Sequence, residues 1–565
     1  MNALSYYISD FFDSLKLDAD SEGHTFKVML SGSIKTFLEN PTNESAYVVY
    51  SMFFDVYRTS YKENRPFVDL LDILRSYEEH TGLFNDGQRD HYIHSVNVFL
   101  LGLSIYSRNA AFRKVVEQWN NAPDHQMMFR SHQEEFLFTW GVAALFHDIG
   151  YPVEIISKQL QKFITFVADD VNREIGPHVS YLRYDKLNCI DTPLDTSVSS
   201  DGFDFKCPTD LLAFFISSTI HADPEKAKHT LDNFLFAMQR GGFVDHGFYS
   251  ALIVLKWYGE MLIGMQNENV FFNQILPAAS AIFLHNAYKN IFQKPPFNSA
   301  PLKAEVFPLA FLLIFCDEAQ EWNRKAYGSK ARTNVMVDDS AIKISETSIS
   351  LHYITSKGLL TDAFIEKKHA LFQRLLDLNS LFPEGLSLSA TTQSEQYIAE
   401  IKASDILPRP LADSIELIAR KIHEDYNAKQ LERHPNTPLA YPSWESLPDT
   451  LKYSNIRQAH SIGDKLSKIG CCICTAGKEP IYQLTSDEIE LLAEYEHEQW
   501  VEERTRNGWK YGEEKNTDQK LSPYLLPYQS LTEEIKDLDR DTIRNLEPLL
   551  RSIGLAICKI KDRSV

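Results

Sequence analysis

The stretch Ala143-Ala-Leu-Phe-His147-Asp148-Ile-Gly150-Tyr-Pro152 places a histidine and an aspartate side by side where an apolar helical run ends. Adjacent residues on a helix point about 100° apart. The two side chains can therefore reach one cation only where the helix ends or is distorted, and Gly150 and Pro152 favour such an ending. An isolated His-Asp pair is more often an ordinary polar helix end, so its meaning depends on the rest of the chain.

Length, composition and charge limit the kind of protein this is. The chain has 565 residues, which allows about three domains at roughly 150 residues each. Its 44% hydrophobic and 12% aromatic content predicts packed cores rather than disorder. A net charge of −20, from 57 basic and 77 acidic residues, opposes binding to a phosphate backbone or an anionic bilayer. We therefore expect neither bulk nucleic acid nor a membrane as a partner.

Cysteine usage and the N-terminus bear on the compartment. The cysteines are odd in number, seven, and they show neither a disulfide framework nor paired Cys-x-x-Cys zinc spacing. The first residues do not resemble a signal peptide, and no uninterrupted apolar run approaches the ~20 residues that span a bilayer. These features predict a cytoplasmic protein without disulfides.

Further polar side chains interrupt apolar helical segments on both sides of the His-Asp pair. They are His91 and His94 at i and i+3, His246 at the mouth of a helix, His285 late in another helix, and Asp317 near the end of a third. Buried ionisable groups are costly and are usually tied to a metal, a partner or a function. Their recurrence predicts one polar site inside a mainly α fold.

These residues resemble the HD superfamily of metal-dependent phosphohydrolases over roughly residues 60 to 325. The resemblance rests on His94, the His147-Asp148 pair and the aspartate of Leu312-Leu-Ile-Phe-Cys-Asp317-Glu. It implies an all-helical domain in which these four residues ligate one metal. His246 and His285 resemble the extra histidines of the two-metal branch that includes HD-GYP phosphodiesterases, which implies a second metal.

One departure from the family pattern concerns spacing. The interval between Asp148 and Asp317 is 169 residues (317 − 148), longer than a compact HD core needs. We therefore expect an insertion around 153–240 that forms a lid, a pocket wall or an oligomer contact.

The ligand types indicate the chemistry. Imidazole and carboxylate suit one or two divalent ions of Mn, Fe, Zn or Co, with Mg less favoured. Such ions activate water and polarise phosphoryl oxygens, so hydrolysis of a phosphate ester is the implied reaction. Asp148 and His91 are the candidate catalytic residues, because His91 lies where related triphosphohydrolases carry a phosphate-directed arginine; a partly exposed helical histidine is the alternative. Lys158, Arg324 and Lys325 are candidate phosphate contacts.

The middle of the chain changes from helical to alternating patterns after residue 332. Two β runs, 341–345 and 348–355, flank a polar turn, and a helix at 361–379 and a strand-like segment at 385–390 follow. This predicts a helical metallohydrolase domain at 1–332 and a small α/β appendage at 333–408.

From residue 415 onward the sequence repeats itself. Residues 415–426 correspond to 489–500 at an offset of 74 (489 − 415), and 444–474 correspond to 528–558 at an offset of 84 (528 − 444). The second copy therefore carries ten additional residues (84 − 74). We predict a tandem helical module at 409–565, with copies at 409–480 and 481–565.

The second copy resembles the ryanodine-receptor-like (RyR) repeat domain over about residues 485 to 558. The resemblance rests on His-x-x-Trp, Gly-Trp-x-Tyr-Gly and Pro-Tyr motifs, and the first copy lacks the Gly-Trp loop. Aromatic residues near several lysines could form a slot for base stacking and phosphate pairing, or else a small aromatic core; they are Trp500, Trp509, Tyr511, Tyr524 and Tyr528. Bacterial RyR-like domains resemble sensors proposed to bind nucleotide-derived ligands, often in antiviral systems.

Together these features give one leading hypothesis and two alternatives. We expect a deoxynucleoside triphosphate hydrolase that forms a homo-oligomer and is regulated by a nucleotide-derived ligand at the RyR-like module. A cyclic-dinucleotide phosphodiesterase is the closest alternative. A non-catalytic nucleotide-sensing scaffold is the alternative from another class, and the intact HD residues argue against it.

Overall fold

The chain forms two compact units, Met1–Ala390 and Thr391–Val565. The computed structural model describes residues 3–16, 21–57, 91–123, 125–154, 157, 207–241, 244–263, 268–322, 336–357, 361–403, 409–433, 435, 437–477, 482–506, 508–514, 516 and 520–559. Helices predominate, which confirms the predicted mainly α class. The strands of the predicted appendage lie in the first unit except for the last two residues of the third strand, and the helix that follows them lies in the second unit.

The first unit is a helical assembly with one small sheet. Its helices are α1 (Ala3–Ser14), α2 (Ser21–Glu39), α3 (Asn43–Val56), α4 (His91–Arg108), α5 (Ala110–Asn120), α6 (His132–Phe146), α7 (Pro208–Thr219), α8 (Pro224–Gly241), α9 (His246–Ile263), α10 (Leu276–Ala287), α11 (Pro308–Ala319) and α12 (Thr361–Leu375). A short helix, Glu268–Val270, and a π-helical turn, Phe271–Ile275, lead into α10, and a second π-helical turn, Tyr288–Phe292, follows it.

Four helices form the centre of this unit. Helix α4 packs against α6 and α11, and α10 packs against α6, α9 and α11. Helices α4, α6, α10 and α11 are buried along almost their whole length, as expected for helices that are apolar on every face. Ser131 caps α6 by accepting from the Glu134 amide, and Pro308 occupies the first turn of α11, where its missing N–H costs nothing.

Part of the predicted insertion around 153–240 belongs to this helical assembly. Helix α7 packs against α8, α9 and α10. Residues 158–206, which include Lys158, lie outside the described residues, as do Arg324 and Lys325. The predicted lid or oligomer contact therefore stays a prediction.

The sheet of the first unit has the order β1-β2-β3. Its strands are β1 (Met336–Ile344), β2 (Ser348–Lys357) and β3 (Gly385–Thr392), with α12 between the last two. Strands β1 and β2 pair antiparallel, with Ile342 opposite Leu351. The predicted strands and the intervening helix are confirmed.

The second unit contains the sequence repeat. Its elements are α13 (Gln393–Ala403), α14 (Arg409–Arg433), α15 (Asp449–His460), α16 (Ile462–Lys468), β4 (Cys471–Thr475), α17 (Ser486–Arg506), β5 (Lys510–Tyr511), β6 (Leu521–Ser522), α18 (Glu533–Arg544), α19 (Leu546–Ser552) and β7 (Leu555–Lys559). Helices α15 and α16 and strand β4 begin and end 84 residues before α18, α19 and β7, which confirms the repeat.

Strands β4 and β7 join the two copies. They pair antiparallel, and Ile473 stands opposite Ile557, its own equivalent 84 residues later. A local pseudo-twofold axis therefore passes through this residue pair. Gly470 and Gly554 have φ of 66° and 79° and end α16 and α19, a conformation that favours glycine.

The structure corrects one expectation about the cysteines. Cys474 and Cys558, equivalent positions 84 residues apart, are joined by a disulfide. The expectation of no disulfide is therefore wrong at this pair, because the sequence does not reveal that β4 and β7 are neighbours. The other described cysteines are free thiols: Cys207, Cys316, Cys471 and Cys472. Within the described ranges, no helix has both the length and the apolarity to cross a membrane.

Candidate functional site

Five helix ends deliver the candidate site residues to one place in the first unit. Helix α6 stops at Phe146, so His147 and Asp148 lie just beyond its last turn, as the sequence predicts. His91 and His94 occupy the first turn of α4. The remaining ligand candidates are His246 at the start of α9, His285 late in α10 and Asp317 in the last turn of α11.

The first group surrounds the Nε2 atoms of His94 and His147, which lie 3.3 Å apart. Asp317 Oδ1 lies 2.9 Å from His94 Nε2 and 3.8 Å from His147 Nε2. Asp148 Oδ2 lies 3.8 Å from His94 Nε2 and 3.5 Å from His147 Nε2. The ligand atoms of His94, His147 and Asp148 all lie within 4.8 Å of one another, and Asp317 lies against both histidines. We call these four residues, the ligands implied by the HD resemblance, the first cluster.

A second group uses the other oxygen of the same aspartate. Asp148 Oδ1 lies 3.5 Å from His246 Nε2, which in turn lies 3.3 Å from His285 Nε2. We call Asp148, His246 and His285 the second cluster. Because Oδ2 of Asp148 faces the first cluster and Oδ1 the second, this carboxylate could serve as a ligand in both clusters.

The hydrogen bonds of the outer ring nitrogens orient all four imidazoles. Nδ1 of His147 donates to Ala144 O at 2.8 Å, and Nδ1 of His285 donates to Ile282 O at 2.5 Å. A carbonyl oxygen can only accept, so the neutral form of either ring has its lone pair on Nε2.

The other two histidines follow the same rule with side-chain acceptors. His94 Nδ1 lies 2.5 Å from Gln320 Oε1, and the amide nitrogen of Gln320 donates to Trp322 O. His246 Nδ1 donates to Glu154 Oε2 at 2.6 Å. All four Nε2 atoms thus point inward, the orientation that histidine ligands adopt when an acceptor holds the outer nitrogen.

The residues of this arrangement could hold a divalent metal. In the neutral form of these rings neither Nε2 of a 3.3 Å pair has a proton to donate to the other, whereas a cation between them would accept both lone pairs. With metal–nitrogen distances of about 2.0–2.1 Å, two imidazoles on a tetrahedral centre lie about 3.3–3.4 Å apart. The donor set of imidazole and carboxylate suits Mn, Fe, Co or Zn more than Mg.

Both aspartates are held in the ionised form that a ligand requires. Burial alone would raise the pKa of Asp148, but the imidazoles of His147, His91 and His246 hold it well below its usual range. Burial opposes ionisation of Asp317 in the same way, but its contact with His94, together with the imidazoles of His147 and His285, outweighs burial and holds its pKa well below the usual value.

The two histidines of the second cluster differ in their protonation. Burial, reinforced by the neighbouring His147, lowers the pKa of His285 to about 3, so this ring is neutral at neutral pH. Burial also disfavours the charged form of His246, but its hydrogen bond to Glu154 and the charge of Asp148 raise its pKa to about 9. The extra proton on His246 must leave before Nε2 can ligate a metal.

Two glycines allow the elements to approach this closely. A Cβ on Gly150 would lie 2.5 Å from His246 O and 2.8 Å from Ser250 N, where no side chain fits. Gly150 N instead donates to Ser250 Oγ at 2.8 Å, which fixes the His-Asp turn against the start of α9. A Cβ on Gly247 would lie 3.0 Å from Cε1 of His285.

His91, the other candidate catalytic residue, lies against the bridging carboxylate. Its Nδ1 is 3.1 Å from Asp148 Oδ2, and its ring centroid lies 3.8 Å from that of Tyr151. Only 12% of its side chain is exposed. This location is compatible with contact to a phosphate or with proton transfer, and both remain predictions.

Sequence patterns did not single out three supporting residues. Glu154 orients His246, Gln320 orients His94, and Ser250 accepts from Gly150. Gln320 is completely buried and Glu154 nearly so. The sequence offers only a weak signal for Glu154 and Gln320, namely a polar residue beside an apolar helix. Their partners, His246 and His94, lie 92 and 226 residues away along the chain.

The candidate aromatic slot in the second unit has one well-defined part. Arg504 lies over both Trp500 and Trp509, with its guanidinium carbon 5.5 Å and 4.8 Å from the two ring centroids. Trp500 also stacks on His497, whose Nε2 donates to Leu526 O. Residues 483–559 match the RyR domain family. The second copy of the repeat is therefore an RyR domain, as its motifs indicate.

The remaining aromatic residues of the RyR domain are not all gathered at the tryptophan pair. Tyr528 is 4% exposed, belongs to the hydrophobic core of the unit, and donates to Glu490 Oε1 at 3.3 Å. Its position favours a packing role. Tyr511 and Tyr524 are exposed and lie on the segment that contains β5 and β6.

A cavity of about 580 Å³ opens beside the tryptophan pair, between the two copies of the repeat. Equivalent positions from both copies line it, among them Gln430 with Arg504 and Gln458 with Thr542. The wall also carries Asp425, Lys429, Tyr426, Asn455 and Asn545. Its size is that of a site for a small organic ligand.

Proposed function

We propose that this chain is a metal-dependent phosphohydrolase whose substrate is a nucleotide, a deoxynucleoside triphosphate in the leading interpretation. The observation that carries the proposal is Asp148, whose two oxygens face two groups of inward-directed Nε2 atoms. A pair of cations held by these residues would activate water and neutralise charge on both the attacking and the leaving oxygens of a phosphoryl transfer.

The protein groups around this centre have distinct roles in the proposal. His94, His147 and Asp317 hold the first cluster, His246 and His285 hold the second, and Asp148 belongs to both. His91 lies beside Asp148 and is the candidate to bind a phosphate oxygen or to give a proton to the leaving group.

Charge supports a small substrate rather than a polymer. A net charge of −20 repels a long phosphate backbone, whereas a single nucleotide needs only a local patch of positive potential. The antiviral setting implied by the RyR resemblance is compatible with hydrolysis of deoxynucleotides, and so is a homo-oligomer.

A cyclic-dinucleotide phosphodiesterase is the second candidate, and the second cluster favours it. The two activities give different products. Incubation of the protein with Mn²⁺ or Mg²⁺ and each deoxynucleoside triphosphate or cyclic dinucleotide, followed by anion-exchange chromatography, separates them. A protein that contains no metal and releases no product from either substrate class would instead support a non-catalytic scaffold.

We predict that His285→Asn removes one of two bound cations. The first cluster does not use this side chain, so metal analysis should give about one ion per chain instead of two, and hydrolysis should fall roughly 100-fold. His352→Asn is the control, because His352 lies on β2 and bonds to Ser389 outside both clusters. Equal metal content in wild type and His285→Asn would contradict the two-cation centre.

We further propose that the RyR domain and its preceding copy bind a nucleotide-type regulator in the cavity between them. Arg504 and Lys429 give this wall positive charge within a strongly acidic chain, and the Asp425 carboxylate accepts from the Asn545 amide. The amide group of Asn455 can bond to a base edge, and so can the amide oxygen of Gln458, whose nitrogen donates to Glu496. The tryptophan pair holds the Arg504 guanidinium in place, which reduces the entropy lost when it binds a phosphate.

Arg504→Gln tests this regulatory site, and glutamine already occupies the equivalent position in the first copy. Loss of a charge-assisted bond should weaken a regulating nucleotide roughly 10- to 100-fold. The measurement is the nucleotide concentration that half-maximally changes hydrolysis, for each common nucleoside triphosphate.

Arg420→Gln is the matched control for that variant. Arg420 lies 5.4 Å from the ring centroid of Trp444 and pairs with Glu416 and Glu445, but it does not line the cavity. It should leave regulation unchanged. A regulatory response of wild-type size in Arg504→Gln would argue against a phosphate contact at this residue.

A further inference from the structure

The carboxyl end of helix α11 carries two groups that shape the first cluster. Asp317 is a candidate ligand, and Gln320 accepts from Nδ1 of the ligand candidate His94. Gln320 N closes the last turn by donating to Cys316 O at 3.0 Å, and the chain then continues in an extended conformation. The position of this short segment therefore determines where the Asp317 carboxylate lies and how the His94 ring is oriented.

The last carbonyl groups of a helix have no partner within the helix and need one from elsewhere. At the end of α11 both donors come from the sheet-and-helix appendage. Lys368 Nζ on α12 donates to Glu318 O at 2.5 Å, and Tyr353 Oη on β2 donates to Ala319 O at 2.8 Å. These two carbonyl groups immediately follow Asp317 and precede Gln320 in the chain.

Burial makes both bonds difficult to replace with water. Tyr353 is completely buried, and Lys368 is 8% exposed although its side chain is charged. Lys368 Nζ also lies 2.5 Å from Glu321 Oε1 and 3.6 Å from Glu318 Oε2, so two carboxylates compensate its charge. Loss of either donor leaves a buried carbonyl oxygen without its bond, which favours movement of the segment.

Apolar contacts fix the same end of α11 to the appendage. Phe315, two residues before Asp317, packs against Phe372 of α12 and Phe382, with ring centroids 5.2 Å and 6.0 Å apart. The appendage thus holds α11 from the side with aromatic rings and from the end with hydrogen bonds. Lys289 Nζ also lies 3.3 Å from Glu318 Oε1 at this end of the helix.

From these contacts we infer that the appendage positions the metal ligands of the first cluster, with Tyr353 and Lys368 as positioning residues. Neither side chain is a ligand in the proposed centre. Each acts through the α11 end, and so through Asp317 and the Gln320–His94 bond. The inference rests on the proposed metal-dependent function and assigns to the appendage a role that its composition alone does not indicate.

Tyr353→Phe is the decisive test, because it removes one hydroxyl and keeps the buried ring. Full-length protein is titrated with Co²⁺, and binding is followed by visible absorption and by competition with a chelator. We expect Tyr353→Phe to weaken Co²⁺ binding several-fold and Lys368→Met to weaken it about tenfold, the lower end of the roughly 10- to 100-fold range known for groups that orient ligands directly. The Co²⁺ absorption spectrum should change in both variants, since it depends on ligand geometry.

Tyr288→Phe is the matched control. It also removes a bond from a buried tyrosine hydroxyl to a backbone carbonyl, that of Ala300, in the same unit. We expect a comparable fall in melting temperature but Co²⁺ affinity within twofold of wild type. If Lys368→Met does not fold, Tyr353→Phe still decides the question.

Two negative outcomes have different meanings. Wild-type Co²⁺ affinity and spectrum in Tyr353→Phe, together with a lower melting temperature, would reduce the appendage to a stabilising element and overturn this inference alone. Failure of the wild-type protein to bind Co²⁺ would overturn the proposed function and, with it, the role of the appendage.

Discussion

Asp148→Asn is expected to abolish hydrolysis and to remove both cations from the protein. The substitution preserves the shape of the side chain, but it removes the negative charge that both clusters share. Each cluster keeps its histidines, but each loses the negatively charged Asp148 oxygen that faces it, Oδ2 in the first cluster and Oδ1 in the second. We expect a loss of activity of roughly a thousandfold or more. Metal content and product release, both measured on purified full-length protein, check the result.

Asp210→Asn is the matched control for this experiment. Asp210 is also a buried aspartate, but it pairs with Lys228 at 3.0 Å and bonds to the Cys207 amide, outside both clusters. Its replacement should lower stability and leave the metal content unchanged. If Asp148→Asn retains two ions per chain, the bridging role is wrong, and the two clusters would have to be considered separately.

Among alanine substitutions of the glycines in the site, we expect Gly150→Ala to reduce stability and hydrolysis the most. The added Cβ would lie 2.5 Å from His246 O, 2.8 Å from Ser250 N and 2.8 Å from Tyr249 Cβ. Two of these atoms belong to the backbone of α9, so no rotamer change can relieve the clash. The start of α9 must move away from the His-Asp turn, and His246 moves with it. We expect the free energy of unfolding to fall by about 1–3 kcal/mol and hydrolysis to fall roughly 100-fold.

Gly32→Ala makes the same chemical change, but we expect it to raise the free energy of unfolding rather than lower it. Gly32 lies in helix α2, and a Cβ there would meet no atom within 4 Å. Alanine should stabilise this helix by about 0.5–1 kcal/mol. Urea denaturation measures the free energy of unfolding of both variants. A Gly150→Ala protein as stable and active as wild type would show that the turn and α9 are not in the contact described here.

The sequence predicted the site better than it predicted the groups that support the site. His94, His147, Asp148, His246, His285 and Asp317 each interrupt an apolar helix, and such interruptions are visible in the sequence alone. Glu154 and Gln320 contact partners that lie 92 and 226 residues away along the chain. Only the tertiary structure brings these partners together. Whether these residues bind metal remains a prediction.

The second unit shows the same limit in another form. The repeat at an offset of 84 predicted which helices and strands correspond, but not that β4 and β7 pair with each other, so the Cys474–Cys558 disulfide was not foreseen. The sequence also did not show which aromatic residues near the Gly-Trp loop belong to the core and which lie around Arg504. Packing places Tyr528 in the core and gathers Trp500 and Trp509 around Arg504.

The self-matching pairing of Ile473 with Ile557 has a consequence for any attempt to isolate the RyR domain. The matched residues 483–559 are only one half of a pseudosymmetric pair, and cutting the chain there would leave β7 as an exposed edge. An unpaired edge strand tends to recruit another strand. Because the lost partner is the equivalent strand of the other copy, paired about Ile473 and Ile557, an excised RyR domain is suited to form a dimer in which the β7 strands of two molecules pair with each other.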